Sequence, residues 1–216
     1  MEGDEPRSFV PAAGHDWLLP LYDPLVRILG RESVLKGQLI EQADLDGCRR
    51  VLDLGCGTGT LAVLVKQAVP EAEVLGVDPD RKALAIGERK ARKAGVEVRF
   101  QCAFGDALPY PDDHFDRVLS SFMFHHLGPD EKRATLREVR RVLEPEGTFH
   151  LLDFGPPIHG ERGLLARMLH SHEHLRDNLE GRIPALMHEA GFRDANQVAG
   201  RGSLFGTVAF YRAVDG

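Results

Sequence analysis

Along this chain, short blocks of consecutive apolar residues alternate with longer stretches in which apolar positions recur every three or four residues. The blocks at 50–54, 73–77, 96–103, 115–120 and 148–154 have the length and the Val/Leu content of strands buried on both faces. The stretches at 60–68, 81–94 and 130–143 carry helical periodicity instead. The punctuation agrees: Gly95 stops the second of these helices, Pro129-Asp130-Glu131 opens the third, and Glu144-Pro145-Glu146-Gly147 closes it as a turn. Strand and helix therefore alternate about four times, the pattern of a doubly wound α/β sheet.

Both ends depart from this rhythm. Upstream, Leu18, Leu21, Leu25, Ile28, Leu29, Leu35, Leu39 and Ile40 recur at helical spacing over 17–45, with Pro20 and Pro24 breaking the early part. An Asp46-Gly47 turn then leads into the first strand. Downstream of Gly155-Pro156-Pro157, 163–178 and 181–190 read as helices, and 192–198 and 205–212 as strands paired antiparallel around Gly200-Arg201-Gly202. The organisation expected is a flexible leader over 1–14 and one domain over 15–216. Within that domain, a helical cap covers 15–45 and an insertion over 156–180 covers the substrate.

Composition narrows the function classes. With 216 residues the chain can bury one good-sized core, and 43% hydrophobic with 28% charged residues is ordinary globular usage. A net charge of -6 argues against general attraction to DNA or to anionic membranes. Arg81, Lys82, Arg89, Lys90, Arg92 and Lys93 are locally basic, but Asp78, Asp80 and Glu88 interrupt them, so a solvated helix face is expected. Cys48, Cys56 and Cys102 have neither CxxC nor zinc spacing, and no apolar run reaches the ~20 residues of a membrane helix. The acidic first residues lack a secretion signal, which leads us to expect a reduced, cytoplasmic protein.

Candidate chemistry is concentrated at the ends of the predicted strands. Gly55, Gly57 and Gly59 alternate directly after the first strand, where they permit a tight turn and close backbone approach to a ligand. Asp53 precedes this turn, Asp78 ends the second strand and Asp106 follows the third. The carboxyl ends of parallel strands lie along one edge, so the three carboxylates are expected around one crevice. They suit a cofactor with hydroxyls and an amine and would repel a pyrophosphate. The glycine spacing also lacks the two-residue gap of the dinucleotide fingerprint GxGxxG, which disfavours an NAD-dependent oxidoreductase.

Five stretches, in order, carry a family resemblance: VLDLGCGTG at 51–59, VLGVDPD at 74–80, GDALPYPDDHFDRV at 105–118, SSFMFHHL at 120–127 and LREVRRVLEPEGTFHLLDF at 136–154. On these the chain resembles the class I S-adenosylmethionine-dependent methyltransferases, in the small-molecule group around ubiquinone and menaquinone biosynthesis. The resemblance implies a three-layer Rossmann-like α/β fold whose mostly parallel seven-stranded sheet has an antiparallel last strand. It also implies that Asp53, Gly55, Gly57 and Gly59 hold the methionine part of S-adenosyl-L-methionine, with Asp78 on the ribose diol and Pro79 beside the adenine. Asp106 and the Ala107 amide would then bind the adenine, while Ser121 and Phe122 would offer a main-chain carbonyl to the ammonium. The Glu-Pro-Glu-Gly at 144–147 departs from the family's usual Pro-Gly-Gly.

Methyl transfer from a sulfonium is an in-line displacement for which the protein supplies alignment, desolvation and sometimes a base. His125 and His126 are the candidate bases, since they follow the fourth strand and a free imidazole titrates near neutral pH, although histidines in such a loop also pack locally. Tyr22, beside Asp23, is a candidate lid residue. His170, His172, His174 and Arg176 could meet an acidic substrate, but alternate helical positions do not share a face, so no metal site is expected. Without the Asn/Asp-Pro-Pro-Tyr stacking motif of base-amino methylation, a small-molecule acceptor is expected. A protein or RNA target and a non-catalytic cofactor-binding protein are the alternatives.

Overall fold

The computed structural model describes residues 32–157, 173–203 and 206–216. Seven strands, β1 (Arg50–Leu54), β2 (Glu73–Asp78), β3 (Arg99–Cys102), β4 (Phe115–Ser121), β5 (Leu143–Phe154), β6 (Asp194–Ser203) and β7 (Gly206–Val214), form one sheet in the order β3-β2-β1-β4-β5-β7-β6. β1 to β5 pair in parallel, and β7 runs antiparallel to both β5 and β6. The chain moves outward from β1 to β3 and then returns to β4. This puts the topological switch between β1 and β4, where open α/β sheets bind ligands.

The helices among the described residues are α1 (Glu32–Ala43), α2 (Thr60–Ala68), α3 (Arg81–Ala94), α4 (Pro129–Val142), α5 (Glu173–Leu179) and α6 (Ile183–Glu189), with a single 3-10 turn at Phe124–His126. None is long and apolar enough to cross a membrane. Alternate residues along each strand feed two cores, one per face. Val51, Val74, Leu119, Leu152 and Phe210 pack with Leu39 of α1 and Leu61 and Val65 of α2. Leu52, Val118, Phe149, Leu151 and Tyr211 pack with Leu136 and Val139 of α4 and with Ile183 and Met187 of α6. The result is the three-layer α/β sandwich implied by the alternating pattern.

Local chemistry explains most boundaries. Asp80 caps α3 by accepting the amides of Lys82 and Ala83, and Gly95 ends it in the left-handed conformation at φ 67°. Three expectations are corrected. The segment 144–147 is part of β5, which starts at Leu143. Pairing steps from Phe115↔Leu143 to Arg117↔Thr148, so these four residues form a bulge held by Glu144 on Arg49 and Arg50. β3 covers only Arg99–Cys102 of the expected 96–103, because this edge strand has β2 alone as partner. Gly200-Arg201-Gly202 is strand, paired with Ala209, Val208 and Thr207, and any reversal lies beyond it. Tyr22, Asp23, His170 and His172 lie outside the described residues, as do the leader and most of the cap and the insertion.

Candidate active site

The carboxyl ends of β1, β2 and β4 converge because the register aligns Leu54 with Val77 and with Ser120. Between them sits the glycine turn, with Gly55, Gly57 and Gly59 at φ 67°, 50° and 71°. These values lie in the left-handed region that a side chain strains. A Cβ on Gly55 would fall 2.3 Å from Met123 Cγ, whereas one on Gly57 would meet nothing within 4 Å. Gly57 is therefore the position where the backbone can be approached. A Cβ on Gly59 would lie 2.7 Å from the Phe100 ring and 3.0 Å from Gly87 Cα, so this third glycine also lets α2 and α3 come together.

The amides of the turn serve the protein itself. Gly55 and Cys56 donate to Val77 O at 2.8 and 2.9 Å, and Gly59 donates to Cys56 O at 2.8 Å. Gly57 donates to Asp78 Oδ2 at 2.9 Å. A phosphate would find these donors engaged and a carboxylate beside them, the reverse of a phosphate-binding turn. That arrangement opposes a dinucleotide.

Asp53 lies two residues before Gly55 and is 1% exposed. It occupies a position that would otherwise be apolar, between Leu52 and Leu54, and Oδ2 accepts the Ala62 amide at 2.9 Å, tying the strand to the amino end of α2. Its Oδ1 is buried without a hydrogen-bond partner. Burial pushes this carboxyl up to about 7, with Lys36 and the Ala62 amide pulling the other way. Asp78, at the end of β2, accepts the amides of Gly57 and Asp80, yet burial still raises it above the usual carboxylate range. An orphaned buried acceptor, an open backbone at Gly57 and a rim carboxylate fit a cofactor that carries an ammonium and hydroxyls.

The other expected cofactor residues sit around this centre. Pro79 follows Asp78, and its carbonyl accepts from Cys102 Sγ at 3.5 Å. Asp106 is half-buried beyond β3 and Ala107 is exposed, its amide donating to Phe104 O at 3.2 Å within a turn. Ser121 ends β4. Phe122 has φ 55°, uncommon for an aromatic, and is held there by its amide on Leu152 O at 2.8 Å and by an edge contact with Phe154.

The rings of His125 and His126 lie 4.0 Å apart between centroids, tilted by 41°, in the 3-10 turn that follows. His125 Nδ1 meets Asp153 Oδ1 at 2.8 Å, and Asp153 is fully buried. Burial, aided by the neighbouring His125, pushes His126 down to about 4. His174 is exposed on α5 and approaches Gly128.

Several contributors were not read from the sequence. Ser120 Oγ donates to Leu54 O at 2.8 Å and locks β4 to β1 beside the turn. Glu138 accepts the Leu108 amide at 2.9 Å, and Arg141 donates to Leu108 O and Tyr110 O, so α4 holds the loop that carries Asp106. Asp153 is the penultimate residue of an apolar strand, as Asp53 is of β1, a signal that was available in the residue pattern.

Comparison with known proteins agrees with this geometry. A methyltransferase domain family matches residues 51–147. The chain is 41% identical over 153 residues to the demethylmenaquinone methyltransferase of Thermus thermophilus, covering 70% of this chain and 69% of the relative. It is 34% identical over 157 residues to the enzyme of that name from Deinococcus radiodurans, covering 72% and 64%. The matches thus span about two thirds of the relatives' own length. Among solved structures, the [4+2]-cyclase SpnF superimposes with a TM-score of 0.60 and 30% identity, over 76% of this chain and 60% of that one. With this identity, this coverage and these strand-end motifs, the chain belongs to the class I S-adenosylmethionine-dependent methyltransferases of the demethylmenaquinone methyltransferase type.

Proposed function

We propose that the protein methylates a small acceptor of the quinone-precursor kind, an aromatic ring bearing an acidic carbon or hydroxyl. The observation that carries the cofactor half of this reading is Asp53, a buried carboxylate at the head of the glycine turn with one oxygen unpartnered. In an apolar surrounding such an acceptor favours a cationic donor strongly. The acceptor half is supported by the two relatives named for demethylmenaquinone methylation.

The bound cofactor supplies an activated methyl group on a sulfonium. Asp53 with the turn at Gly55, Gly57 and Gly59 holds its methionine part, and Asp78 and Pro79 hold the ribose and the adenine face. Asp106 and Ala107 bind the adenine edge, and Ser121 and Phe122 offer backbone to the ammonium. For the Ala107 amide this requires leaving Phe104 O. His125 is the favoured base and Tyr22 the lid residue. His126, titrating near 4, is a neutral imidazole at neutral pH but a weaker proton acceptor. A cytoplasmic location fits this role.

Calorimetric titration with S-adenosylhomocysteine, S-adenosylmethionine and NAD tests the cofactor half. Micromolar binding of both sulfur ligands and none of NAD is expected, and selective binding of NAD would overturn the reading. The likeness to a [4+2]-cyclase favours one second reading, cofactor binding with chemistry other than methyl transfer. Product mass separates the two, because only methylation adds a methyl group to the acceptor.

A further inference from the structure

At the carboxyl end of β5, on the α4–α5 face, lies a polar cluster that cofactor binding does not use. Asp153 is its centre. Oδ1 lies 2.8 Å from His125 Nδ1 and accepts the Phe154 amide at 2.7 Å, while Oδ2 accepts the His125 amide at 3.2 Å. Two backbone N–H donors fix the carboxylate with Oδ1 against Nδ1, and an ionised carboxylate can only accept. The proton of a neutral His125 must then sit on Nδ1, which leaves the lone pair on Nε2.

The surroundings reinforce that arrangement. The His125 side chain is 9% exposed against none for Asp153, so the carboxylate is sealed behind the imidazole. Phe154 packs edge-on to His125 at 4.9 Å and the tilted His126 ring lies 4.0 Å away, restricting ring rotation. Behind Asp153 lies Lys132, fully buried, whose ammonium pairs with Asp177 at 3.5 Å and donates to His174 O. This buried cation is drawn to Asp153 as well as to Asp177, which offsets the cost of keeping a carboxylate in the interior.

We infer that Asp153 is a positioning residue that holds His125 as its Nδ1–H tautomer, so that Nε2 receives the proton of the acceptor. The inference rests on the methyl-transfer reading above. The X–H bond of the acceptor breaks heterolytically and its electron pair forms the bond to the incoming methyl carbon. The sulfur departs with the pair of the carbon–sulfur bond, and the proton passes to Nε2 and then to water. His125 and Asp153 are 28 positions apart, and only the parallel pairing of β4 with β5, Ser121 opposite Leu152, brings them together.

The test uses the whole chain labelled with 15N-histidine, above neutral pH and without ligand. Long-range 1H–15N correlation reports which ring nitrogen carries the proton, with His125 identified by the signal lost in His125→Gln. Wild type should show Nδ1–H at His125, and Asp153→Asn should shift it towards Nε2–H. The same variant should keep its affinity for S-adenosylhomocysteine while kcat falls by about 10²–10⁴-fold, the usual contribution of a positioned base. An Nε2–H tautomer in wild type overturns the inference, and so does a changed tautomer with unchanged turnover. Loss of S-adenosylhomocysteine binding in wild type with Nδ1–H intact would instead strike the methyl-transfer reading, and the base role with it.

Discussion

The two ends of the parallel sheet handle carboxylates in opposite ways. At the amino end, Asp116 accepts the amides of Arg49 and Arg50 at 2.8 and 2.7 Å, and Glu144 pairs with both guanidinium groups at 2.6 and 2.9 Å. Despite some desolvation, the Arg50 and Arg49 amides and the Arg49 charge hold Asp116 below the usual carboxylate range. At the carboxyl end, Asp53 and Asp78 are pushed up by burial, and their hydrogen bonds come from backbone amides alone. The amino end is arranged for stability, with charges matched and partly solvated. The carboxyl end leaves one buried oxygen of Asp53 without a partner, a cost to the free protein.

The largest effect should come from the deeply buried pair at the carboxyl end. Asp177→Leu takes from the buried Lys132 its paired carboxylate, leaving the His174 carbonyl and the longer-range pull of Asp153, and the fold should lose about 3–5 kcal/mol in urea denaturation. Lys132→Met should cost less, because Arg182 remains on Asp177. Equal losses in the two variants would remove the asymmetry claimed for this end.

Asp53 offers a comparable effect of opposite sign. Its folded carboxyl binds a proton near pH 7 and its unfolded one near 3.8, so it favours the fold as pH falls between these values and opposes it above 7. That displacement corresponds to about 4 kcal/mol, so Asp53→Asn should stabilise the free protein at alkaline pH by up to that amount. The same substitution should weaken S-adenosylmethionine binding by roughly 10- to 100-fold, since hydrogen bonds to charged groups contribute about 1.5–3 kcal/mol. A variant that binds as tightly as wild type would sink the assignment of Asp53.

Asp116, with its folded value depressed, contributes stability that is present above the unfolded value and lost as pH falls through the folded one. Acid unfolding below about pH 4 should therefore begin at the amino end. Glu144→Gln should be the mildest change, below about 1 kcal/mol and smaller still in high salt, because Arg49 is 66% exposed. A larger loss would show that the bulge in β5 depends on this ion pair.

Much of the fold, and the strand ends that carry the candidate site, is legible in the residue pattern. The bounds of β1, α2 and α3 agree with the periodicity to the residue, because buried parallel strands are uniformly apolar and Gly95 and Asp80 punctuate α3 locally. The strand ends that carry Asp53 and Asp78 follow at once, since the register of a parallel sheet aligns them. The bulge at 144–147 was not legible. Pro145 and Gly147 signal a turn, and what keeps the segment in the sheet is a pair of arginines nearly a hundred positions upstream.

The residues alone therefore settle the layer architecture and the sheet edge that carries the candidate site, because that information is local: a turn, a cap, a carboxylate at the end of an apolar run. Tertiary contact settles which of two adjacent histidines has a carboxylate behind it, which helix holds the Asp106 loop, and which acidic groups are matched by cations. Those outcomes depend on distances across 28 to 95 positions of chain, where burial and partner geometry decide the energy of a charge and residue type does not.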